Sequence, residues 1–138
     1  NFKVYLSDDS ENFGGVSFYP DPIGNKSDSY ISCKVRNINE VIEELNIESI
    51  DLIKIDTEGA EHDILPKLSG YLKNVQNLFL ELHVHRNSAI QIEKTFQLLR
   101  ENGFRYKFDS LHKINFEAFK SVSKFDTQFN IFAINENT

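Results

Sequence analysis

The run Ile50-Asp-Leu-Ile-Lys-Ile-Asp56 carries apolar residues on both faces of an extended segment. A strand written that way is covered on both sides, as in parallel sheets sandwiched by helices. Side chains alternate along a strand, so Ile50, Leu52, Lys54 and Asp56 share one face and Asp51, Ile53 and Ile55 the other. Gly59 permits a sharp exit, and the helical pattern of Ala60 to Leu65 should end or kink at Pro66, which has no N–H to donate.

A second buried strand reads from Asn77 to His83, with Phe79, Glu81 and His83 on one face. Ser88-Ala-Ile-Gln91 fits a capping box at the head of an amphipathic helix. Ala89, Ile92, Phe96 and Leu99 form its stripe and Gly103 its stop. Phe104, Tyr106 and Phe108 then alternate as a strand, as do Phe129 and Ile131. Between them, Asp109 to Gln128 is a long excursion with a short helix expected at 116–122, and connections of that length often act as lids.

Upstream, Phe2–Leu6 and Val16–Tyr19 read as short strands, with Gly14-Gly15 as the turn between them. Pro20 to Ser29 reads as a loop, and Tyr30 to Ile38 as a strand. A helix follows with Asn39 as its cap and Val41, Ile42 and Leu45 on its apolar side. Helix-separated buried strands predict an α/β fold with a mostly parallel sheet, closed by an antiparallel pair, in a single domain over residues 1–138.

The charge balance narrows the function. The net charge of -6 comes without a lysine or arginine cluster, and nucleic-acid binding needs a basic patch. No stretch reaches the ~18 apolar residues of a membrane span. The single cysteine, Cys33, has no internal partner; that favours a reducing compartment, and a cytoplasmic location is expected.

In open α/β sheets, ligands bind in the crevice outside the carboxyl ends of the strands. Both buried strands finish there with two polar groups on one face, Lys54 with Asp56 and Glu81 with His83. A lysine inside a buried strand is costly unless paired, and Asp56 is its nearest candidate partner. That pair reads equally as a supporting ion pair or as part of a reactive site. His83 reads either as a packed histidine or, beside Glu81, as a functional group. Glu58 and Glu61 flank Gly59 at a helix start, where the dipole favours acids. His62, Asp63, His85, Arg86 and His112 read as surface residues. Glu81, His83 and His85 are suitable metal ligand types, but the Arg86-Asn-Ser turn breaks the shared face, and no metal ligand is assigned. Nucleophilic catalysis lacks a G-x-S-x-G elbow.

The twelve residues from Ile50 to Glu61, IDLIKIDTEGAE, closely resemble the signature of the FkbM-type methyltransferases, with every polar position matched. Leu6-Ser7-Asp8, Val16-Ser-Phe18 and Leu80-Glu-Leu-His83 resemble further segments of that family. The resemblance implies a Rossmann-like class I methyltransferase fold. It also implies S-adenosylmethionine as cofactor and methyl transfer to a hydroxyl of a sugar, glycan or small-molecule acceptor. It makes Ile50–Asp56 and Leu78–His83 the fourth and fifth strands, and the closing pair the sixth and seventh in reversed order. By the same resemblance, Asp56 or His83 acts as general base, while Lys54, Glu58 and Glu81 hold geometry. Glu61 steadies the next helix, and Leu6, Ser7 and Asp56 contact the cofactor.

The family's glycine-rich cofactor turn has no match, since the glycines fall at 14, 15, 24, 59, 70 and 103, none in a strand-Gly-x-Gly-helix context. The chain accordingly reads as a C-terminal portion, inactive and weak in cofactor binding by itself. Its sheet edge would be open to self-association. Two other function classes stand beside this one: a non-catalytic α/β binding module, and a metal-dependent hydrolase using Asp56, Glu81 and His83.

Overall fold

The computed structural model describes residues 2–6, 16–17, 30–84, 89–110 and 127–138. The expected Gly14-Gly15 turn, the loop at 20–29, the capping Ser88 and the helix at 116–122 lie outside them, as do His85, Arg86 and His112.

Three short strands pair antiparallel in the order β2-β1-β3: β1 (Phe2–Leu6), β2 (Val16–Ser17) and β3 (Tyr30–Cys33). The strand expected to reach Ile38 stops at Cys33, and helix α1 (Ile38–Glu44) begins where it was expected to end. The cap is Asn37 rather than Asn39. The Asn37 side-chain oxygen accepts the Asn39 N–H at 3.0 Å, satisfying a donor at the open end of the helix. Leu45, expected on the apolar side, is 61% exposed, and Ile42 carries the packing instead. Leu45 is the C-cap, one residue past the end of the helix, and the chain enters the left-handed region at Asn46, whose φ is 50°.

The second sheet contains β4 (Ile50–Ile55), β5 (Val75–Val84), β6 (Phe104–Ser110) and β7 (Thr127–Asn135) in the order β4-β5-β7-β6. β4 and β5 are parallel, and β7 runs antiparallel to both its neighbours. The sheet is thus mixed: three strands point one way and β7 alone runs back between β5 and β6. Helix α2 (Glu61–Ile64) is a single turn, continued from Leu65 to Leu68 as a tighter 3-10 turn that accommodates Pro66. Helix α3 (Ala89–Glu101) joins β5 to β6 and buries Leu99, with Ile92 and Phe96 packed against the core. Gly103, at φ 82°, makes the left-handed exit that ends it.

Period-2 alternation sorts the sheet's two faces. Ile55, Leu78, Leu80, Leu82, Ile131 and Ala133 fill the core at 4% exposure or less. Each such fully buried leucine contributes about 1.5–3 kcal/mol. The other face carries Lys54, Phe79, Glu81, His83, Gln128, Asn130 and Phe132, by the cross-strand register. β5 lies between two strands, β4 and β7. β4 does not: it is the edge of the described sheet, and Leu52 is 60% exposed. No helix among the described residues is long and apolar enough to cross a membrane.

Candidate active site

β4 and β5 are parallel and in register, Lys54 opposite Phe79 and Ile55 opposite Leu80. Their carboxyl ends therefore deliver Asp56, Glu81 and His83 to one place. Beyond β4 the chain reverses through two left-handed residues, Glu58 at φ 52° and Gly59 at φ 105°. Glycine takes that conformation freely, whereas a glutamate in it costs on the order of 1 kcal/mol. The reversal folds Glu61 back beneath the strand ends.

Glu61 is fully buried. Its Oε1 accepts hydrogen bonds from the Thr57 N–H at 2.9 Å, the Thr57 hydroxyl at 3.0 Å and the Gly59 N–H at 3.0 Å. It also lies 3.2 Å from His83 Nδ1, while Oε2 accepts the His83 N–H at 3.4 Å. Burial alone would raise the carboxyl's pKa. The His83 hydrogen bond, the backbone donors and the imidazole's charge outweigh it and bring the value from 4.5 down to about 2. Glu61 is thus more than the helix-end acid that the sequence implied. It ties the turn after β4 to the end of β5.

A carboxylate only accepts, so His83 Nδ1 donates to Glu61 and Nε2 is the nitrogen turned elsewhere. Nε2 lies 3.8 Å from Glu58 Oε2 and 3.9 Å from Glu81 Oε1, with the imidazole only 2% exposed. Burial pushes the imidazole pKa down, but the Glu61 hydrogen bond and the charges of Glu61, Glu58 and Glu81 push harder, and the net shift is upward from 6.5. Glu81 is itself held by the Gln128 amide, which donates to its Oε1 from the neighbouring strand β7.

Lys54 departs from its sequence reading. Its side chain is 59% exposed, on the same face of β4 that leaves Leu52 60% exposed, so no burial cost arises. Its ammonium pairs with Asp56 Oδ2 at 3.0 Å and sits 5.7 Å over the Phe79 ring. Exposed pairs of this kind contribute at most about 1 kcal/mol. Lys54→Ala is accordingly expected to change the unfolding free energy by less than about 1 kcal/mol in a denaturant titration.

The structure brings together all five residues assigned catalytic roles, Lys54, Asp56, Glu58, Glu81 and His83. One ligand-type atom from each of Asp56, Glu81 and His83 lies within 4.8 Å of the other two. Of the residues expected to contact the cofactor, Asp56 is in this cluster, Leu6 falls in β1, and Ser7 lies outside the described residues. His62, read as a surface residue, is half-buried, with Nδ1 3.3 Å from the Thr95 hydroxyl. Sequence reading put Gln128 at the end of the long excursion, whereas it lies in β7, and it missed Asn130 altogether. They pair with His83 and Glu81 across β5 and β7, a register that period-2 counting within one strand does not reveal.

The profile described as Methyltransferase FkbM domain matches residues 3–106. A curated relative, the AMB antimetabolite synthetase AmbE of Pseudomonas aeruginosa, is 36% identical over 110 residues. That alignment covers 74% of this chain and 5% of the relative, so the chain spans a small part of the protein it matches. No solved structure matches. With the signature strand, its charged exit and the Glu-x-His strand end in one cluster, and the profile matched over most of its length, the chain belongs to the FkbM methyltransferase domain family.

Proposed function

We propose that these residues form the C-terminal part of a class I, S-adenosylmethionine-dependent methyltransferase domain that methylates a hydroxyl of a sugar or other small-molecule acceptor. The observation that carries this reading is the meeting of Asp56, Glu81 and His83 at the carboxyl ends of two adjacent parallel strands, where open α/β sheets bind their ligands. The sheet order β4-β5-β7-β6, with only β7 reversed, supports the assignment of these strands as fourth, fifth, seventh and sixth.

The fit to the cofactor within the described residues is partial. Asp56 offers a carboxylate at the end of β4, and the acidic setting made with Glu58 and Glu81 is compatible with a sulfonium cation. When bound, S-adenosylmethionine supplies an electrophilic methyl group. The chain's own part is to orient the acceptor and take its proton. Asp56 is the better placed base of the two candidates, with a side chain 29% exposed at the mouth of the cluster. His83 is buried and surrounded by carboxylates that favour its charged form. It is suited to donate from Nε2 to an acceptor oxygen gaining negative charge. Transfer of labelled methyl from S-adenosylmethionine to hydroxyl acceptors by the protein at its full natural length tests the reading. No transfer to any hydroxyl acceptor would count against it.

β4 is apolar on both faces yet lies at an edge, beside a groove of about 690 Å³ lined by Ile42, Ile47, Ile53, Ile64 and Leu68 among others. An edge of that kind, open among the described residues, invites strand pairing, and we expect this chain alone to self-associate through it. Light scattering should show dimers or larger species that Leu52→Lys disperses. A clean monomer at high concentration would contradict this.

A further inference from the structure

We propose that Asp56, Glu81 and His83, with the Asn130 amide oxygen as a further donor, form a binding site for a divalent cation of the Mg²⁺ or Mn²⁺ type. The donor atoms of the first three already lie within 4.8 Å of one another, a spread that modest side-chain adjustment closes around one ion with bonds of about 2.0–2.2 Å. Two carboxylates, an amide oxygen and one imidazole suit a hard or borderline cation better than a thiolate-seeking one.

Two observations besides that proximity point the same way. The first is Asn130 Oδ1, a buried oxygen with no hydrogen-bond partner. Asn130 stands directly opposite Glu81 in the β5–β7 ladder, and directly opposed residues project to the same face of a sheet. A buried acceptor left without a donor costs about 1–3 kcal/mol, and a cation would satisfy it. The second is that each of the other three candidates is oriented by a partner outside the set. Glu61 takes the His83 Nδ1 hydrogen and leaves Nε2 facing Glu58 and Glu81, Gln128 holds Glu81, and Lys54 holds Asp56. Metal-binding histidines characteristically donate their second nitrogen to a carboxylate in this way. A cation at Nε2 displaces the proton there, so with the ion bound it is the ion, and not the imidazole N–H, that meets the acceptor oxygen.

In the methyltransferase reading, on which this role rests, the ion would bind the acceptor's hydroxyl oxygen and ease loss of its proton beside Asp56. Binding of the ion is measurable without cofactor or acceptor. Mn²⁺ is titrated into the protein at its full natural length and free Mn²⁺ is followed by electron paramagnetic resonance. One saturable site is expected, weakened at least tenfold by Asp56→Asn and by Glu81→Gln and unchanged by Asp51→Asn, a surface control. Thermal melts of the same variants establish that they fold. No saturable binding, or equal binding by all four proteins, would overturn the site. Mn²⁺ binding without cofactor binding would retain the ion and remove the methyltransferase reading; the opposite result would do the reverse.

Discussion

Replacing Glu61 with alanine is expected to cost about 3–5 kcal/mol of stability, the range for removing one member of a buried charged pair, and to lower the melting temperature by on the order of 10 °C. The size follows from what the side chain holds. Its two oxygens serve donors from Thr57, Gly59 and His83, and alanine leaves all of them unsatisfied beneath the strand ends. Glu61→Gln keeps an acceptor but loses the charge and presents an amide N–H to the donors of His83. It should still cost about 3 kcal/mol at neutral pH, as implied by a carboxyl pKa brought from 4.5 to about 2. The pH dependence has a definite sign. Glu61's contribution is complete above 4.5 and is lost as pH falls towards 2, because its folded value is the lower one. His83's contribution is complete below 6.5 and is lost as pH rises through its folded value, which is the higher one. Stability from the pair is therefore greatest between about 4.5 and 6.5. Chemical unfolding of both proteins from pH 2 to pH 9 should show the acid limb flattened in Glu61→Gln. Parallel profiles would mean that Glu61 is not the residue being titrated.

The second large effect concerns turnover. On the proposed methyltransferase reading, and in the protein at its full natural length, Asp56→Asn should reduce kcat by about 10²–10⁴, the usual contribution of a positioned general base. Its melting temperature should barely change, since the side chain lies at the exposed mouth of the cluster. His83→Asn should lower turnover and stability together, because the imidazole is buried and bonded to Glu61. The contrast separates a base from a residue that also supports the fold. If Asp56→Asn retained nearly full kcat, the proton would have to leave by another route, with His83 or Glu81 next in line.

Much of this arrangement was legible in the chain itself. Alternation along Asn77 to His83 placed Glu81 and His83 on one face, and the Gly59 exit and the Gly103 stop follow from the backbone freedom of that residue. What was not legible depended on neighbours. Burial of Lys54 was inferred from the apolar pattern of its own strand, but exposure is decided by whether another layer covers that face of β4: Ile55 on the opposite face is 4% exposed and Leu52 on the face of Lys54 60%. Asn37 and Asn39 are equivalent as residue types, and only the backbone of Asn37, extended at ψ 128°, makes it the cap. Glu61 looked like a first-turn acid because a helix does begin there. Its bond to His83, 22 positions away, is created by packing. Gln128 and Asn130 entered the site through the ladder register between β5 and β7, which no local pattern encodes.

The most direct test is calorimetric titration of S-adenosylhomocysteine into two samples, the protein at its full natural length and this 138-residue chain. Saturable binding to the longer protein, with weak or no binding to the chain alone, is the predicted result. Absence of binding to both would contradict the methyltransferase reading and favour a binding module.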